Sequence, residues 1–149
     1  MGGLNKNRWK NKNNFISTPT IQGTYTPPPR NTCEETPIAY LVTDNPLIRL
    51  IGRTWRQGRL VDFIINIEVR RTEKSPWVTA VSIDCCHGKA HVHHYKNGEK
   101  DGETPEVLKI LDSVADVKDA LKLAVAYARK EQNRLESKIG KGGENSATI

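Results

Sequence analysis

The sequence predicts an α+β domain: a four-stranded antiparallel β-meander with a C-terminal helix packed on one face, between flexible N- and C-terminal tails. Three observations carry this prediction. Residues 61–70 alternate apolar and polar side chains with period two, residues 77–96 do the same on both sides of His87-Gly88, and residues 114–128 place apolar side chains at helical spacing. A length of 149 residues accommodates one such domain and excludes a multidomain enzyme.

The first stretch, 1–37, is expected to be a flexible basic arm. Its first 30 residues carry Lys6, Arg8, Lys10, Lys12 and Arg30 without an acid, among Asn, Thr and the run Pro27-Pro28-Pro29. That is too little apolar area to offset the entropy of ordering. The domain then spans 38–137, and the glycine-rich 138–149 forms a second flexible tail.

Within the domain, Val61, Phe63, Ile65, Ile67 and Val69 alternate with Asp62, Asn66, Glu68 and Arg70, and only Ile64 interrupts the polar side. A two-residue turn at Gln57-Gly58 would pair Thr54 with Val61, Gly52 with Phe63, Leu50 with Ile65 and Ile48 with Ile67 on one face. Arg53 then opposes Asp62, and Arg49 opposes Asn66, on the other. A second hairpin turns at His87-Gly88, where glycine supplies positive φ. It sets Val81, Ile83 and Cys85 against His94, Val92 and Ala90 on the core side, and Ser82, Asp84 and Ala80 against His93, His91 and Tyr95 on the polar side. After a loop at 97–105, Asp112-Ser113 with Asp116 signals a helix N-terminus. Val114, Val117, Leu121, Ala124, Val125 and Ala128 give that helix its apolar stripe, so the helix covers one sheet face and the polar face is left open.

Composition narrows function. Lys and Arg number 23 against 17 Asp and Glu, a net charge of +6, which favours polyanionic partners such as RNA or another nucleic acid. No apolar run approaches the roughly 18 residues of a bilayer span, so no membrane partner is expected. Of three cysteines, Cys85 and Cys86 are adjacent and Cys33 has no evident partner, which fits a reducing, cytoplasmic setting.

All four histidines, His87, His91, His93 and His94, fall within eight residues. His91 and His93 share the polar face with Asp84, His87 sits at the turn, and His94 points to the core. An imidazole pair can act as general base and general acid, with Asp84 orienting His91, so His91, His93, Asp84 and His87 are the catalytic candidates for RNA cleavage without metal or other cofactor. Alternate histidines on one strand can also chelate an ion, and His87, His91 and His93, completed by Asp84 or Cys86, would suit zinc. A third alternative is a noncatalytic domain that binds an acidic partner. Arg49, Arg53, Trp55, Lys89 and Tyr95 combine cations with flat rings, as a single-stranded nucleic-acid platform does, and the arm residues Lys6, Arg8, Lys10 and Lys12 would add affinity through counterion release.

The motif Asp84-Cys85-Cys86-His87-Gly88-Lys89-Ala90-His91-Val92-His93, followed by a helix, resembles small uncharacterised bacterial DxxHGxxHxH domains, some of them similar to the toxins of toxin–antitoxin modules. The resemblance covers about residues 47–135. It implies a β-meander with a helix, ribonuclease activity carried by His87, His91, His93 and Asp84, and a protein partner such as an antitoxin.

Overall fold

The computed structural model describes residues 23–101 and 105–142. Within them a short 3-10 turn at Arg30–Thr32 precedes β1 (Glu34–Pro37), β2 (Ile48–Gln57), β3 (Arg59–Val69), β4 (Val78–Cys86), β5 (Lys89–Lys96), β6 (Glu99–Lys100), β7 (Glu106–Ile110) and α1 (Ala115–Gly142). All strand pairings are antiparallel, in the order β1-β2-β3-β4-β5-β7, with β6 paired to the last residues of β5. The protein is therefore α+β, as the sequence predicts.

Four strands were expected and the sheet has seven. The four long ones, β2 to β5, are those with apolar alternation. β1 is exposed throughout, β6 has two residues, and β7 is only partly shielded. These three are held by backbone hydrogen bonds to a neighbour, which side-chain patterning does not register.

The two hairpins differ in how well their register was legible. In β4–β5 every pair from Val81↔His94 to Cys85↔Ala90 is as predicted. In β2–β3 the ladder is displaced by two residues: Ile48 pairs with Val69, Leu50 with Ile67, Gly52 with Ile65 and Thr54 with Phe63. Arg53 accordingly faces Ile64 rather than Asp62, and Arg49 faces Glu68 rather than Asn66. The turn narrows to Gly58 at φ +75°, with Gln57 opposite Arg59, and a bulge between Trp55 and Arg56 adds a residue on β3. A slip of two preserves the face of every side chain, so the apolar set still reaches the core.

That core lies on one face of the sheet. Phe63, Ile48, Ile65, Ile67, Ile83, Val81 and Val92 are fully buried there, with Leu111 just beyond β7. The helix closes it with Val117, Ala120, Ala124 and Ala128, all fully buried, while Leu121 and Val125 pack at its margin. Three alanines along this stripe let the helix backbone approach the sheet closely. Asp116 anchors the helix start as expected: its Oδ2 accepts the backbone N–H groups of Asp112 at 2.8 Å and Ser113 at 3.1 Å. These two bonds hold its carboxyl below the usual carboxylate range.

Both domain boundaries shift. β1 and the residues before it fall within the expected arm yet are packed: the Tyr25 N–H donates to the Leu111 carbonyl at 3.0 Å, and its hydroxyl donates to the Val61 carbonyl at 2.7 Å. At the other end α1 runs past Ser137 to Gly142. Arg129 donates to the carbonyls of Val42 at 2.6 Å and Tyr40 at 3.0 Å, tying the helix to the loop before β2. The arm residues Lys6, Arg8, Lys10 and Lys12 lie outside the described residues. No described helix is long and apolar enough to cross a membrane.

Candidate functional site

The site is built on the β4–β5 hairpin. His87 and Gly88 both take positive φ, 56° and 71°, the requirement of a two-residue turn whose twist matches its strands. The Gly88 carbonyl accepts the N–H groups of Gly23 at 2.8 Å and Leu111 at 2.9 Å, which pins the tip of the hairpin. From this turn the register carries Asp84 opposite His91 and Ser82 opposite His93, on the face away from α1.

There Asp84, His91 and His93 each present a ligand atom, and these atoms lie within 4.8 Å of one another. The two imidazoles meet edge to face with centroids 4.4 Å apart. Nε2 of His91 approaches Oδ1 of Asp84 to 3.2 Å, but the alignment of a hydrogen bond is missing. The His91 side chain is only 6% exposed, against 27% for Asp84. Both ring nitrogens of His91, Oδ1 of Asp84 and, on the neighbouring strand, Oδ1 of Asn66 are buried without a hydrogen-bond partner in the described protein. A buried polar atom left unpaired costs about 1–3 kcal/mol. Concentrating such atoms at one point is therefore a local expense of stability.

Burial shifts both imidazoles toward the neutral form. Burial pushes His91 below its ordinary pKa, with His93, Lys89 and His87 adding to the effect and Asp84 opposing it. Burial also lowers His93, helped by Lys100. Because both folded values lie below the unfolded value of about 6.5, their contribution to stability is fully present above that pH and is lost as pH falls through the folded values. Neutral imidazole is the form that ligates a metal or accepts a proton.

The other candidates are dispersed. His87 is exposed at the turn and outside the three-residue cluster. His94 faces the helix as predicted, its Nε2 sharing a hydrogen bond with the Tyr127 hydroxyl at 3.1 Å. Cys85 is in the core, and burial holds its thiol protonated. Cys86 is half-buried, its thiol also pushed up by burial and by Asp84.

The expected aromatic and cationic platform changes character. Trp55 is only 5% exposed, with the Arg30 guanidinium 3.8 Å above its ring, so its face is already taken. Arg53 is paired with Glu35 at 2.9 Å, and Arg49 with Glu68 while also lying 4.4 Å over Trp77. Tyr95 is half-buried opposite Lys100, and Lys89 is half-buried opposite Cys86. The polar face is thus less open than expected, because the chain leading into β1 folds back over part of it.

Arg30 also binds Asp62, with Nε 2.9 Å from Oδ2 of a carboxylate that is 5% exposed. Burial raises the Asp62 pKa and Arg30 works against it. With the folded value above the unfolded one of about 3.9, the carboxyl's contribution is most favourable at acid pH and diminishes as pH rises through the folded value. Arg30→Ala is therefore expected to cost about 1–3 kcal/mol at pH 7, and less near pH 4, where the carboxyl takes up a proton. Urea unfolding at the two pH values measures this, and an equal loss at both would show that Arg30 acts by packing alone.

Sequence reasoning named Asp84, His91 and His93 correctly as neighbours. It missed Arg30 over Trp55, the buried Asn66 oxygen on the strand paired with β4, and the Arg49 and Arg70 guanidiniums over the Trp77 ring. The polar alternation at Asn66 was the one available signal.

Fold and site together define an α+β protein whose antiparallel sheet, backed by one helix, holds an Asp–His–His cluster on its other face. The chain belongs to the DUF7718 family, described as a domain of unknown function, which matches residues 37–143. No curated protein and no solved structure matches it.

Proposed function

We propose that this protein is a divalent-metal-binding module whose ion is held by Asp84, His91 and His93. The observation that supports it is the buried, unpaired state of both His91 nitrogens beside an unpaired Asp84 oxygen. Two neutral imidazoles and one carboxylate are the donor set of zinc and related divalent ions, and coordination would satisfy one His91 nitrogen and the Asp84 oxygen that the fold leaves orphaned. The large apolar core lies on the other face, so the ion is not needed for folding.

Metal-free protein should accordingly fold, and then bind one Zn²⁺ or Co²⁺ per chain by calorimetry. At a free-ion concentration 100 times Kd, binding should stabilise it by about 2.7 kcal/mol. Absence of stoichiometric binding, or binding that survives in His91→Ala, refutes the assignment.

A second reading, the toxin-like ribonuclease, is favoured by the contact between the two imidazoles. His91 would take the 2′-hydroxyl proton and His93, nearer solvent, would supply one to the leaving oxygen. The depressed pKa of both rings moves the optimum of such a pair below pH 6.5. RNA cleavage that persists in EDTA, is lost in His91→Ala and His93→Ala, and spares DNA would establish it. No cleavage between pH 5 and 8 would leave binding alone.

A further inference from the structure

We infer that the ion held by Asp84, His91 and His93 takes a phosphate group as a further ligand, with Lys89 and Lys100 supplying the complementary charge. This rests on the metal reading above and adds to it the class of anion that the site receives.

Three protein ligands leave at least one coordination position of a zinc-class ion free, as in sites that bind substrate rather than brace a fold. Asp84 cancels only half the charge of a divalent ion. The surrounding side chains make the imbalance larger. Lys89 precedes His91 by two residues on β5, so both project from the same face. Lys100 stands opposite Tyr95 in the β5–β6 ladder, on the face shared by Tyr95 and His93. Neither lysine is in an ion pair among the described residues. The nearby acid Asp62 is already engaged by Arg30.

Two ammonium groups outside the ion pairs of the described residues, beside a cation site, oppose the bare ion. They favour it once an anion of multiple charge bridges ion and lysines. Phosphate offers several oxygens, one for the ion and others for the ammonium groups, which donate hydrogen bonds without a fixed fork geometry. Metal and anion then bind cooperatively, each raising the affinity of the other by the same factor.

The test is Co²⁺ titration of the full chain, followed by calorimetry and visible absorption, with and without millimolar inorganic phosphate. His91→Ala in the same buffers gives the background for cobalt held by phosphate alone. Wild type should bind Co²⁺ roughly tenfold more tightly with phosphate, and the cobalt spectrum should change as the anion enters the coordination sphere. The Lys89→Ala/Lys100→Ala double variant should bind Co²⁺ more tightly than wild type without phosphate, and should gain little from it. Co²⁺ binding that is indifferent to phosphate, or a gain that is equal in the double variant, overturns the anion inference and leaves the metal reading intact. No Co²⁺ binding under either condition overturns both.

Discussion

Replacing His91 with leucine is expected to stabilise the metal-free protein while abolishing its response to metal. An apolar side chain of similar volume removes two buried, unpaired nitrogens, and a burial of this kind is worth about 1–2 kcal/mol in favour of the variant. On the metal reading, the ion would take one of these nitrogens in wild type. Loss of one of three protein ligands should weaken Zn²⁺ by at least about 100-fold, the equivalent of roughly 3 kcal/mol. The variant should therefore melt above metal-free wild type and below the zinc-saturated protein. Its pH dependence should change as well. Wild type loses stability as pH falls below about 6.5, because unfolding lets the buried histidines take up protons. The leucine variant keeps only the His93 part of that slope. Thermal melts at pH 5 and 7, with and without zinc, measure all of these effects. A variant less stable than wild type without metal would mean that His91 is satisfied within the fold, and the basis for a ligand at this position would vanish.

Phe63→Ala is expected to lower stability by about 3–5 kcal/mol, the cost of removing a large aromatic ring from a site that cannot collapse. Phe63 is the largest of the fully buried side chains and belongs to the core cluster that α1 closes. Its neighbours Ile65 and Ile67 are held in a continuous ladder on both sides of β3, so relaxation into the cavity is restricted. At roughly 4 °C per kcal/mol for a domain of this size, the melting temperature should fall by roughly 12 to 20 °C. Phe63→Leu, which retains most of the volume, should cost less than half as much. Similar losses for the two variants would mean that this part of the sheet is loosely packed. Because Phe63 adjoins Asp62 and pairs across the sheet with Thr54, the comparison also separates core stability from the polar face, where zinc affinity should stay unchanged in the leucine variant.

The β4–β5 hairpin, with its candidate site, was legible in the amino-acid sequence because local rules there agree. A two-residue loop that needs positive φ at both positions is filled by His87-Gly88, and the apolar residues on its two arms match in only one register. That register alone places Asp84 beside His91 and His93 on one side and His94 on the other. The β2–β3 register was not legible to the same degree. A one-residue tip at Gly58 and a bulge at Trp55/Arg56 shift pairing by two without changing which side chains face the core, so the alternation is equally compatible with either alignment.

What the sequence by itself determined is therefore the fold class, the four patterned strands, the helix N-terminus signalled by Asp112-Ser113 with Asp116, and the grouping of the three site residues. Each follows from periodicities of two or 3.6 residues and from turn and cap chemistry, which act over a few positions along the chain. Tertiary structure alone decided what depends on encounters between distant segments: the edge strands β1 and β7, held by backbone pairing; Arg30 placed over Trp55 and against Asp62, 32 residues away; and the depth at which His91 is buried. That last property distinguishes a solvated histidine on a strand from one whose two nitrogens lie unpaired beside a carboxylate. It arises because β4 and β7 flank His91 on either side of β5, and no short-range pattern in the sequence encodes how much water that leaves.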